Sequence, residues 1–169
     1  SRLTKVMMQA LQQDQTNARG ERNVVDGDLT LLTGFEFNIQ GKLSTTFFAP
    51  YISAIDRATG EISIDIDDFT PQDVLRTSTG CTHFKIVMGA MELDFMNSSF
   101  ESKTAESAII ANDGTQSGAV QLQASLSAGS TLPLVLVMGM VLYQEVNGVQ
   151  YLLNNGAYNA LQVVSVNVL

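Results

Sequence analysis

The feature that most constrains the fold is Leu132 to Leu169, which reads as two strands facing each other across a tight turn. Leu132 to Tyr143 is almost continuously apolar and rich in β-branched side chains, as suits a strand covered on both faces in the middle of a sheet. The run is too short to cross a bilayer as a helix, which takes about 20 apolar residues. Val146-Asn147-Gly148-Val149 follows. Asn-Gly between apolar residues is the strongest short hairpin signal, because both central positions of a type I′ turn take positive φ. Tyr151-Leu152-Leu153 is expected to pair back on the long strand. Asn154-Asn155-Gly156 then turns the chain again, and Leu161 to Leu169 forms a last strand with Val164, Val166 and Val168 on one face.

Shorter runs of period 2 fill most of the chain before it. Leu29-Thr30-Leu31 and Phe35 to Ile39 read as strands with one buried face, and Leu43 to Phe48 as a hairpin partner across Gln40-Gly41-Lys42. Ile52 to Ile55 adds a strand, and Glu61 to Asp67 is the cleanest alternation, isoleucines in and polar residues out. Thr70-Pro71 reads as a short helix start that ends by Thr77, with Thr70 as N-cap and Asp73 in the place of a capping-box acid. Between Thr82 and Phe95 the apolar phase changes from Phe84, Ile86 and Met88 to Met91, Leu93 and Phe95. One extra residue at Gly89-Ala90 accounts for that, so a β-bulge is predicted there. Ala108 to Ala111 and Val120 to Leu126 supply two further strands, joined across Asn112-Asp113-Gly114.

At the start, Leu3, Val6, Met7, Ala10 and Leu11 fall on one face of a helix, whose apolar stripe needs a partner. Polar residues 14–28 read as an extended loop. Residues 1–28 are therefore taken as N-terminal helix and loop, and residues 29–169 as one β domain. Alternating strand and helix patterns are absent, which sets aside a parallel α/β sheet. The fold class expected is mainly β: a single antiparallel β-sandwich, Ig-like or Greek-key in type, of about eight or nine strands with a short N-terminal amphipathic helix.

The 169 residues are enough for a real core, since a domain of this size buries roughly 70% of its unfolded surface. The net charge of −8 argues against a nucleic-acid or anionic-membrane partner. Charge is also uneven: Arg2, Lys5, Arg19 and Arg22 open the chain, and no Lys or Arg follows Lys103. The basic stretch suits docking on an acidic surface of the same chain or of a neighbour. Cys81 is the one cysteine, so no intramolecular disulfide forms and the redox compartment stays open.

Few residues point to chemistry. Asp65, Asp67 and Asp68, near Glu61 and Asp73, are weak calcium candidates through oxygen ligands; the plainer reading is a solvated face and a helix cap. Cys81 and His83 share a strand face, but a thiolate–imidazole nucleophile needs an orienting third group and a pocket. A single histidine cannot found a multi-histidine metal site. The nucleophile-elbow, phosphate-loop and dinucleotide motifs are absent. The expectation is therefore no catalytic residue and no cofactor, but a structural or protein–protein interaction module that binds a protein partner or itself. Leu3, Val6, Met7, Ala10, Leu11, Tyr143 and Tyr151 are the candidate interface. The alternative is a surface-exposed recognition domain for a glycan, or for a ligand held with calcium.

Several stretches carry a resemblance. They include Arg2 to Lys5, Ala18 to Val24, Gly34 to Asn38, Leu43 to Tyr51, Ile55 to Gly60, Thr82 to Phe84, Tyr143 to Val149 and Asn155 to Leu161. Over essentially its whole length the chain resembles a family of uncharacterised bacterial proteins. Its members are longer at the N-terminus, with a more basic segment ahead of this region. The resemblance implies that these residues form the C-terminal part of a longer chain, and it implies no activity, ligand or catalytic residue.

Overall fold

The structure, a computed structural model, describes residues 1–169. Three short helices are present: α1 at Arg2–Gln12, α2 at Leu43–Thr46 and α3 at Pro71–Val74. Nine strands form two antiparallel sheets. They are β1 Ile52–Asp56, β2 Glu61–Ile66, β3 His83–Asp94, β4 Ser99–Glu106, β5 Ile110–Ala111, β6 Val120–Ser125, β7 Leu134–Val146, β8 Val149–Leu152 and β9 Ala160–Asn167. The smaller sheet runs β1-β2-β6.

The larger sheet is built on its two longest strands. β3 and β7 pair from His83↔Tyr143 to Glu92↔Leu134. The free edge of β3 carries β4 and β5, and the free edge of β7 carries β8 and β9. The near-continuous apolar run of β7 thus lies mid-sheet, where both faces are covered. The hairpin at Asn147-Gly148 has φ of 52° and 78°, as a type I′ turn requires.

The two sheets bury their facing residues in one core. Ile62, Ile64 and Ile66 of β2 and Val120 and Leu122 of β6 meet Phe84, Ile86 and Met88 of β3 and Leu134, Leu136, Met138, Met140 and Leu142 of β7. The opposite face of the larger sheet has a second, smaller core. There Val135 and Val137 of β7 and Val163 of β9 pack with Leu29 and Leu32, backed by Val6 and Met7 of α1 and by Met91, Leu93 and Phe95. The molecule therefore has three layers: the smaller sheet, the larger sheet, and α1 with its following loop.

This layering explains the phase change along β3. The register with both neighbours is unbroken at Gly89-Ala90, so the predicted bulge is absent. Phe84, Ile86, Met88 and Ala90 face the inner core, while Met91 and Leu93, with Phe95 just past the strand's end, are half-buried against the second core on the other side. The register shift lies in β9, opposite Leu136/Val137, where Val164 is the extra residue.

Three further expectations are corrected. Leu29–Leu32 is a 3-10 turn capped by Asp28, with Leu29 and Leu32 buried three residues apart. Residues 35–39 form no strand. Gly34, Phe35 and Phe37 bond to Val163 and Leu161, covering part of the β9 edge with a single bridge at Glu36↔Gln162. Leu43 to Phe48 is α2 and its exit, not a hairpin partner: Leu43, Thr46 and Phe47 are buried at helical spacing. The α2 start is capped from a distance by Glu36, whose carboxylate accepts from the backbone of Leu43 and Ser44 at 2.8 and 3.0 Å and from Gln162 Nε2 at 3.0 Å.

Elsewhere, Ala108 to Ala111 and Val120 to Leu126 are not partners, since β5 joins β3 and β6 joins β2. Thr70 precedes α3 as expected, but its side chain makes no capping bond. β4 had no signal in the sequence because its exposed residues mix Glu, Lys, Thr and Ser with Phe100.

Candidate interaction surface

The outer face of the larger sheet is only partly roofed by α1. Beyond the helix it sinks into an apolar trough of about 560 Å³, whose walls and floor include Phe37, Val87, Gly89, Met91, Val137 and Leu161. Gly89 opposes Val137, and Gly139 opposes Val87 on the adjoining strand. At these two positions the sheet presents backbone where side chains would otherwise stand. An added Cβ would lie 2.8 Å from Val137 Cγ2 at Gly89, and 2.3 Å from the Ala160 carbonyl oxygen at Gly139. Phe37 closes one side of the trough and keeps 41% of its surface in solvent. A second, wholly apolar cleft of about 230 Å³ runs from there under α1, sharing Phe37, Met91 and Val137 and adding Leu3 and Met7.

Two arrangements hold α1 and its loop in place. Arg2 donates to the carbonyls of Glu36 and Phe37 at 2.7 and 2.8 Å, and its guanidinium sits 5.2 Å from the centre of the Phe35 ring. Asp14, fully buried, organises residues 14–26. Its carboxylate accepts from the backbone of Thr16, Asn17 and Asn23 and from the Asn17 amide, while Asp26 accepts from the side chains of Asn17 and Asn23. Burial raises the Asp14 pKa, but the hydrogen bonds from Asn17, Asn23 and Thr16 outweigh it and hold the group at about 2.

A carboxylate whose pKa is lower folded than unfolded stabilises the fold above the unfolded value, 3.8 here, and loses that contribution as pH falls toward 2. Asp94, lowered by Asn97, acts in the same direction, so the comparison needs a variant. The stability difference between wild type and Asp14→Asn should be constant from pH 7 to 5 and shrink below pH 3.8. An NMR titration of the Asp14 carboxyl with its midpoint at 3.8 would contradict this account.

Ala10 is fully buried, Val6 and Met7 pack on the second core, Leu11 is half-buried, and Leu3 sits at the helix margin. Tyr143 and Tyr151 do not form one surface. Tyr143 pairs with Leu152 and Tyr151 with Gln144, so the two rings point to opposite faces of the β7–β8 hairpin. Tyr143 is also roughly 20 Å along β7 from Val137.

Asp65, Asp67 and Asp68 are not gathered into a metal-ligating group. Asp65 lies across from Ile52 and Gln121, and Asp68 is engaged by the backbone of Gly118. Cys81 and His83 do not form a catalytic pair. The thiol donates to the His83 carbonyl at 3.4 Å, while the imidazole contacts Thr82 Oγ1 and lies 3.6 Å from Glu145. Burial pushes the Cys81 thiol above its ordinary pKa, which keeps the nucleophilic thiolate scarce. The trough is hard to read from the sequence because it depends on which glycines meet which valines across β3 and β7. Its one sequence signal is the phase change between Phe84 and Phe95, which marks a strand buried on both faces.

No family model matches the chain, and no curated protein matches it. A solved structure described as "pH-induced modulation of Streptococcus parasanguinis adhesion by Fap1 fimbriae" is similar over 78% of this chain and 94% of that chain, at 13% identity and a TM-score of 0.28. A likeness at that score defines no shared fold.

Proposed function

We propose that this chain is a non-catalytic β-sandwich module that works through protein–protein contact, as a structural subunit that associates with its own kind. The observation that carries the reading is the apolar trough between Phe37, Val87 and Leu161, an uncovered stretch of sheet face beside a helix that already roofs the rest. A partner side chain seated there would take the apolar lining out of water, which favours contact. The lone cysteine and lone histidine engage backbone and neighbouring side chains rather than each other, which favours contact over chemistry.

The test is molar mass by light scattering over a wide range of concentrations. Wild type should rise above the 18.2 kDa of one chain as concentration increases. Val87→Lys, which sets a charge in the half-buried trough wall, should weaken that association at least tenfold, a loss of about 1.4 kcal/mol or more. A strict monomer at every concentration would overturn the reading.

A further inference from the structure

A second surface has a shape and charge of its own. On the outer side of α1, Met8, Leu11 and Gln12 face Arg19, Gly20 and Arg22 of the loop across a groove of about 710 Å³. Met8, 49% exposed, and Leu11 are its apolar residues, and Arg19 and Arg22 make it cationic. The ion pairs of the structure are His83–Glu145, Lys85–Glu106 and Lys103–Glu101, so Lys5, Arg19 and Arg22 have no carboxylate partner in a chain of net charge −8. The two arginines are also held in position. The loop that carries them is tied down by the buried Asp14 and by Asp26 bridging Asn17 and Asn23.

The complement lies on the far layer of the same molecule. Strands β1, β2 and β6 contain no Lys or Arg. Because Ile62, Ile64 and Ile66 point into the core, the alternate residues Glu61, Ser63 and Asp65 point outward. Across the strands Asp56 opposes Glu61, and Ile52 opposes Asp65. The outward face is thus acidic around one apolar knob, Ile52, which is 72% exposed, with Asp67 just beyond the end of β2.

We propose that the α1 groove of one copy receives the outward face of the β1-β2-β6 sheet of a second copy, Ile52 seating on Met8 and Leu11 while Asp65 and Asp67 meet Arg19 and Arg22. Groove and knob occupy opposite layers of the molecule, so the contact joins two different surfaces. A heterologous contact of this kind leaves one groove and one knob free at the ends and extends head to tail. The proposal rests on the reading of the chain as a self-associating module, but on residues distinct from the trough. The contact is small and belongs to the weak, transient class. The net charge of each copy opposes association at low salt. A Debye length of about 10 Å at 0.1 M screens that long-range repulsion and leaves the contact pairs, whereas about 3 Å at 1 M screens the pairs as well.

Two variants separate the halves of the contact. Arg19→Glu with Arg22→Glu destroys the groove and keeps the knob; Ile52→Lys with Asp67→Lys destroys the knob and keeps the groove. In sedimentation runs up to about 1 mM protein in 0.1 M NaCl, wild type should form open-ended species whose dissociation constant rises at least tenfold in 1 M NaCl. In a Val87→Lys background, which removes the trough contact, each variant alone should be a monomer with wild-type circular dichroism, and an equal mixture should give dimers that grow no further. Wild-type assembly by either variant, or a mixture that stays monomeric, would overturn the proposal. If Val87→Lys abolishes assembly while both double variants assemble normally, the module reading stands and the head-to-tail contact falls.

Discussion

Gly139→Ala is expected to cost at least about 3 kcal/mol, at the upper end of what overpacking does. The position lies at the middle of β7, beside the β9 bulge, and an added Cβ would stand 2.3 Å from the Ala160 carbonyl oxygen, 3.1 Å from Leu161 and 3.2 Å from Val87. The first of these is backbone and cannot swing away, so β7 and β9 must separate where they are bonded to each other. In a domain of this size each kcal/mol lowers the melting temperature by about 2–4 °C, so a fall of about 6–12 °C is the readout in a thermal scan. Gly114→Ala is the control. Its Cβ would meet only Gln72 Oε1, at 3.5 Å, and its melting temperature should stay near wild type. Equal effects at the two sites would refute the close-packing argument.

Glu36→Ala should cost about 2–4 kcal/mol, because hydrogen bonds to a charged group are worth about 1.5–3 and each buried donor left unpaired costs about 1–3. The side chain is almost wholly buried and serves two amides at the start of α2, one belonging to the fully packed Leu43. It also receives Gln162 from β9, so one carboxylate fastens the α2 turn to the last strand. Gln162→Ala removes a donor and orphans no buried amide, and should cost about 1 kcal/mol. Chemical denaturation of the three proteins orders them; a Gln162→Ala variant as unstable as Glu36→Ala would show that the amides at Leu43 and Ser44 do not depend on the carboxylate.

The sequence made the long elements visible and left the short ones obscure, for physical reasons. β7, the Asn147-Gly148 turn and β2 announce themselves, because a full strand with a steady burial pattern repeats its signal over many residues. Residues 29–48 alternate just as well, yet they fold as a 3-10 turn, an edge-covering segment and α2, since a carboxylate seven residues before Leu43 supplies the cap. No local pattern encodes that. In β3 the signal was right and its explanation was not: two apolar phases meant two covered faces rather than a slip in register. Of the surface, the apolar stripe of α1 and the basic opening stretch were legible. The trough and the knob at Ile52 were not, because each is made by residues that become neighbours only across strands.

The arrangement of short strands along the two long ones has a consequence for how the molecule breathes. From Leu134 to Met140, β7 is bonded to β3 on one side and to β9 on the other, so those amide hydrogens reach solvent only when the sheet opens. β8, exposed at each of its four residues, and β4, exposed along most of its length, can detach at a fraction of that free energy. Native-state hydrogen exchange should therefore sort into a slow group at the β3–β7 pair and fast groups at the rims. A partner seated on the outer layers would slow the rims and leave the β3–β7 group almost untouched.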